Sequence, residues 1–437
     1  MPVMGVSILM LAPVSPPAAS WPPWWRVLSA FAYFLGLAAV LGGTLTYLVV
    51  TRPGLRTSDV ASTAVAVIRR RSAMQLAWCG PVLVVAAYLQ LAGRVARADT
   101  AMSFGQALAP ARIWQFLIQP AKPGSWVSSG TLILTQNILF VVVAVLLASL
   151  LIPHVQDHLS RVASTAVPIT VTAVVANSLP TTLEGQTFDD VLNLVLTETH
   201  IVAGCTYAGG LASLVLLSRA RRTLGRHASL WWARIWQRFS LLALATVAAV
   251  ILSGCWLTWK HVGGPAELVT TMYGRILLVK LLLVLMLILS GAYNEFLLTP
   301  RIARAHAAGD IGEGFALTLS RFPAVVAVEA ALGVGVLLIV PLLAGSARAQ
   351  AGDVPAPTVD GAILALGLVL VASVATSFYA AHRVSLLLTR RAEASGRVAR
   401  LSAVTKKDAL SDSNGPSKRS STSSATRGGA KRIYRRP

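Results

Sequence analysis

The sequence predicts an all-α, polytopic membrane protein of about nine transmembrane helices, with the amino terminus outside and the carboxyl terminus inside. Three observations carry that reading. Of the 437 residues, 55% are hydrophobic and only 13% are charged. The apolar residues gather into runs at about 27–50, 75–93, 135–153, 162–179, 191–218, 238–258, 276–298, 323–344 and 361–387, lengths that suit a helix crossing a hydrocarbon core. Helices are expected because lipid offers no partner for a bare backbone N–H or C=O. Finally, the formal net charge of +21 is concentrated in alternate loops and one tail. That placement sets orientation, and no nucleic-acid partner is expected.

The loops support the count in order. The first connection holds Arg52, Arg56, Arg69, Arg70 and Arg71. The one after the fifth run holds Arg219, Arg221, Arg222, Arg226, His227 and Arg234, and the one after the seventh holds Arg301 and Arg304. The fourth is acidic, with Glu184, Asp189 and Asp190. Basic loops mark the cytoplasm, and nine spans let the loops agree. The first 20 residues lack a basic n-region, so a cleaved signal peptide is not expected, although Ala18-Ala19-Ser20 are small enough for a cleavage site. The second connection carries Trp114, Phe116 and Trp126, and residues 103–118 are expected to form an interfacial helix. From about Arg390 the chain is rich in Ser, Thr, Arg and Lys and is expected to be disordered, with Lys406-Lys407 and Arg432 to Arg436 attracted to an anionic leaflet. The organisation is therefore four helices over 1–187, four more over 188–345, a ninth over 346–389, and a basic tail over 390–437.

Enzyme signatures are missing. No Walker A sequence, HExxH or GxSxG occurs, and Cys79, Cys205 and Cys255 form neither a disulfide framework nor a CxxC pattern. Of the histidines at 154, 158, 200, 227, 261, 306 and 382, only His200 lies deep in an apolar run, roughly ten residues or about 15 Å from its end. Ionisable groups at such depth mark pathways or cofactor sites; the alternative is a histidine that glues two helices together. On a helix, Asn193, Thr197, His200, Gly204 and Tyr207 make one stripe, while Glu198 and Cys205 share another face. His154 and His158 would share a face if helix continued through them.

The other candidates gather around the same four spans. Cys255, Trp256, Trp259, Lys260 and His261 end the sixth run, and Met272 and Tyr273 open the seventh. Thiolate, imidazole and thioether suit Cu(I), so His200, Cys205, Cys255, His261 and Met272 are the candidate metal ligands. The aromatic residues equally suit a membrane-interface belt. Lys280, a turn or so into the seventh run, can snorkel outward. Glu329 is about two turns into the eighth, where it pairs with a neighbour or forms the inner step of a route from His200. Glu198, Tyr207, Lys280 and Glu329 complete the set as pathway or structural polar residues.

Four stretches resemble the copper-resistance protein D (CopD) family. They are His200 with Gly209-Gly210-Leu211; Arg238-Phe239-Ser240 running to Ser253-Gly254; Tyr273-Gly274-Arg275-Ile276-Leu277-Leu278-Val279-Lys280 with Asn294 and Pro300; and Arg321 to Glu329. The family usually has tryptophan where Tyr207 stands, and no CopC-like copper-binding domain lies in this sequence. The resemblance implies a multi-pass protein of the bacterial plasma membrane that handles copper ion as its cargo, importing or delivering it without ATP hydrolysis. It implies functional positions at His200, Lys280 and Glu329, and an extracytoplasmic copper-binding protein of CopC type as a partner beside the lipid bilayer. Two other functions compete: a haem-binding electron-transfer protein with His200 as axial ligand, and an assembly factor for a membrane complex.

Overall fold

A computed structural model describes residues 21–56, 62–99, 101–219, 228–308, 322–343, 345–352 and 358–413. Among them there is no strand, and nine helices are long and apolar enough to cross a membrane. They are α1 (Trp24–Leu45, continuing to Arg56), α2 (Ser62–Ala98), α3 (Ser129–Ala148), α4 (Leu159–Ser178), α5 (Phe188–Ser218), α6 (Ala228–His261), α7 (Met272–Tyr293), α8 (Phe322–Ile339) and α9 (Gly361–Ser413). Arg221, Arg222, Arg226, His227, Arg321 and the basic residues beyond Ser413 lie outside the described residues, and the His306 side chain is likewise not described.

Helix α5 is the hub. It packs on α1, α4, α6 and α8. Its approach to α1 depends on glycine: a β-carbon on Gly209 would overlap the Ala38 carbonyl, and one on Gly42 would overlap the Gly209-Gly210 backbone. Lipid offers no hydrophobic drive between helices, so small residues that let backbones approach are what hold them. Leu37 and Leu41 of α1, Leu76 and Leu83 of α2, and Phe140 and Leu147 of α3 fill the core beside this contact. A second core joins Leu211 and Leu214 of α5 to Trp231, Ile235 and Phe239 of α6.

Two helices widen into π-helical stretches, Thr46–Thr51 after α1 and Asn294–Leu298 after α7. Each lies just ahead of a proline, Pro53 or Pro300. Proline has no N–H to donate and crowds the carbonyl four residues back, and a local i→i+5 turn accommodates the lost bond.

Three expectations need correction. The ninth helix does not end near Arg390 but runs to Ser413. Residues 390–413 are polar enough to look disordered, yet Ala, Arg, Leu and Lys are good helix formers. Gly396 brings the helix against Thr299–Ala308, where a β-carbon would collide with the Arg304 carbonyl. The expected helix over 103–118 is two short ones, Phe104–Ala107 with a Ser103/Gln106 capping box and Pro110–Leu117 opening on its proline. His154 and His158 do not share a helical face: His154 lies in Pro153–Gln156, His158 precedes α4, and both are exposed.

Candidate cation pathway along helix α5

Helix α5 starts at a capping box in which the Thr187 side chain and Asp190 satisfy each other's backbone N–H. This fixes where the next residue stands. Asp189 Oδ2 accepts from Lys260 Nζ of α6 at 2.5 Å, with both side chains about one-sixth exposed (17% and 16%). The ammonium also lies 5.3 Å from the ring centre of Trp256 and 4.9 Å from that of Trp259. One turn deeper, Asn193 Oδ1 accepts from Trp256 Nε1 at 3.0 Å.

Two turns further, His200 Nδ1 lies 3.0 Å from Ser253 Oγ of α6. The roles follow from hydrogen counting. Ser253 has one hydroxyl hydrogen and directs it to the Ala249 carbonyl at 2.5 Å. Its oxygen then accepts from His200 Nδ1–H, and the imidazole also lies within hydrogen-bonding reach of the Val250 carbonyl. This is how metal-binding histidines are commonly held, with the second nitrogen fixed by a hydrogen bond. Gly254 makes room for the ring, since a β-carbon there would stand 3.3 Å from His200 Cε1. Lys280 of α7 is half-buried and lies within electrostatic range of the imidazole.

Below His200 the seam opens. Gly204, on the same stripe, has nothing within 4 Å of where a β-carbon would stand. Helices α6 and α7 pack on α5 and α8 respectively and scarcely on each other. Tyr207 follows, within electrostatic range of Glu329 of α8. Glu329 is 1% exposed and accepts hydrogen bonds from Ser290 and, at 2.9 Å, from Asn294 Nδ2. Asn294 Oδ1 is buried without a hydrogen-bond partner among the described residues. The next residue, Glu295, accepts from Ser240 of α6 at 2.9 Å and from Ser385 of α9 at 2.6 Å. Sequence reading missed Glu295; its signal was a carboxylate inside the seventh apolar run, masked by closeness to the basic loop.

The other face of α5 is closed. Glu198, 6% exposed, accepts from Ser178 of α4 at 2.5 Å, and its Oε2 is buried without a hydrogen-bond partner among the described residues. Cys205 is buried with its sulfur 3.8 Å from the Phe34 carbonyl of α1. His200 and Cys205 therefore point to different helices. The remaining proposed ligands are also dispersed. Cys255 is exposed, while His261 Nδ1 lies 2.8 Å from the Leu257 carbonyl and its ring stacks on Tyr273 at 6.0 Å. Met272 begins α7, half-buried. Among the described residues no three His, Cys, Asp or Glu side chains gather as a metal site would require.

This seam lies on helices contributed in large part by residues 233–343, and that stretch matches the family model described as copper resistance protein D. That stretch supplies Ser253, the two tryptophans, Lys260, Lys280, Asn294 and Glu329, while His200 and Asp189 come from outside it. No curated protein and no solved structure matches the chain. The nine apolar helices among the described residues support a multi-pass membrane protein, one stretch of which is similar to the copper resistance protein D family.

Proposed function

We propose that the protein moves copper across the plasma membrane through the α5–α6–α7–α8 seam, as a transporter or delivery protein that hydrolyses no ATP. The observation that carries this is His200: a half-buried imidazole whose Nδ1 is held by Ser253, on a stripe whose next position, Gly204, is open. A neutral imidazole is a fitting ligand for Cu(I). The charged and amide residues of the seam, Asp189, Lys260, Lys280, Asn294 and Glu329, are hard oxygen donors or cations. They favour passage over retention, in keeping with a cargo ion that does not rest in a closed ligand set.

On this reading copper arrives at the acidic-loop end, beside Asp189, and leaves toward the basic loops, which the positive-inside rule places in the cytoplasm. A CopC-type protein is the natural donor at the acidic end. Glu329, Asn294 and Glu295 form the inner segment of the route.

The test is cellular copper content at a fixed external dose, with membrane abundance measured alongside. His200→Ala removes the imidazole and is expected to abolish protein-dependent copper accumulation at normal abundance. His200→Asn keeps a hydrogen bond toward Ser253 and is expected not to rescue. Wild-type copper content in the asparagine variant would return His200 to a packing role. An absorption spectrum of the purified protein separates the haem alternative: a Soret band would replace this proposal.

A further inference from the structure

The acidic-loop end of the seam holds an arrangement that ordinary helix pairing does not need. Lys260 Nζ is surrounded by a carboxylate and two indoles: Asp189 Oδ2 at 2.5 Å, the Trp256 ring at 5.3 Å and the Trp259 ring at 4.9 Å. The indoles are 5.1 Å apart and inclined at 54°, so they form two walls of one recess. Trp256 is fixed by its Nε1–H bond to Asn193. The backbone at Trp259 is held by Arg348, whose Nη2 donates to the Trp259 carbonyl at 3.4 Å. Asp189 Oδ1 is buried and has no hydrogen-bond partner among the described residues. The site thus has one more anionic oxygen than its occupant uses.

We propose that this recess is a cation-capture site, occupied at rest by the Lys260 ammonium, which an incoming soft monovalent cation displaces. The proposal rests on the reading that a cation travels this seam. Three physical points support it. Indole faces attract cations, tryptophan most strongly of the aromatic residues, and more so when desolvated. The carboxylate supplies the opposite charge, and the indole faces supply the soft contact that its hard oxygens lack. Lysine is a compact charge on a flexible four-carbon stem, so it can swing out toward water without moving α6. A tethered cation has two consequences. It keeps Asp189 neutralised when no cargo is present, avoiding an unpaired, mostly buried charge. It also competes with the cargo as an intramolecular ligand at high effective concentration. The lysine therefore sets a threshold: the recess fills only when external cation outcompetes it. The site lies three helical turns above His200, about 16 Å along α5, so it receives the ion rather than conducting it.

The experiment uses the full-length protein in lipid nanodiscs and Ag(I), a redox-stable soft monovalent cation. In wild type, Ag(I) titration is expected to raise the reaction of the Lys260 amine with a water-soluble acylating reagent, read by peptide mass spectrometry, by about tenfold, corresponding to ~1.4 kcal/mol of displacement. Unchanged Lys260 labelling at Ag(I) concentrations that quench tryptophan fluorescence would overturn the proposal. A second arm measures Ag(I) affinity. Lys260→Gln is expected to tighten it by about tenfold or more by removing the competitor, Lys260→Arg is expected not to, and adding Asp189→Asn to Lys260→Gln is expected to cancel the gain. Equal affinities in wild type and Lys260→Gln would reduce Lys260 to a pin between helices. Because the labelling arm uses the native protein, a variant that fails to fold does not remove the test. These are binding measurements, so the two ideas fail separately. If Ag(I) releases Lys260 but copper content in cells ignores His200, the recess stands and the transport route falls.

Discussion

The two long faces of α5 sit a few ångströms apart and are built by opposite rules. The face toward α1 and α4 is closed by contact: Gly209 lies on the Ala38 carbonyl, Cys205 on Phe34, and Glu198 is held by Ser178. Along the first half of α5 the face toward α6 is joined by separated polar contacts, Asp189 to Lys260, Asn193 to Trp256 and His200 to Ser253, with open space at Gly204, before the apolar contact with Trp231, Ile235 and Phe239 begins. The neighbours differ in the same sense. Two-thirds (67%) of the apolar stretch of α1 is buried inside the protein, against 6% for α6. A membrane protein can hold helices by close backbone approach or by polar bonds. Here one helix uses the first on its scaffold side and the second on the side assigned to the ion.

If that division is right, substitutions should sort by face. The largest effect is expected from Gly209→Val. Its side chain has nowhere to go but into the α1 backbone, and overpacking a closed contact of this kind costs about 3 kcal/mol or more. Thermal unfolding in detergent should show a large loss of stability, and a melting temperature like wild type would mean that α1 and α5 are not in close contact. Ser178→Ala should come next. It leaves a second oxygen of the buried Glu198 carboxyl without a donor, at a cost of about 1–2 kcal/mol, read by the same melting measurement. A silent Ser178→Ala would show that another donor reaches Glu198. The smallest stability change is expected from Gly204→Leu, within about 0.5 kcal/mol, because the side chain enters open space. Its signature is functional: copper content in cells should fall toward the His200→Ala level at unchanged membrane abundance. Normal copper content in this variant would place the route elsewhere.

Much of this was legible in the sequence, for identifiable reasons. The spans were readable because each helix satisfies its own backbone, so hydropathy needs no knowledge of partners. The stripe from Asn193 to Tyr207 was readable because the helical period alone places it on one face, and the separate facing of Glu198 and Cys205 follows from the same period. What could not be read were the partners. Lys260 finds Asp189 across 71 residues, and Glu295 finds Ser385 across 90; both depend on how helices are arranged side by side. The distribution of soft ligands was also unreadable. Cys255, His261 and Met272 share one end of the bundle in sequence order, yet Cys255 faces outward and His261 is engaged with Tyr273. The length of α9 was misjudged because low hydrophobicity describes an exposed helix as well as a disordered tail.

The α1–α5 contact has a consequence for how the chain is made. Gly42 meets Gly209, and a ribosome must add about 170 residues between them, roughly ten to thirty seconds of elongation at 5–20 residues per second. During that interval α2, α3 and α4 are made while Gly42 of α1 lacks the Gly209-Gly210 backbone on which it packs. The first helix must therefore be kept beside the insertion machinery, or held by α2, until the fifth is released. Slowing synthesis between α4 and α5 should expose α1 to proteolytic quality control, whereas the same delay after α5 should not.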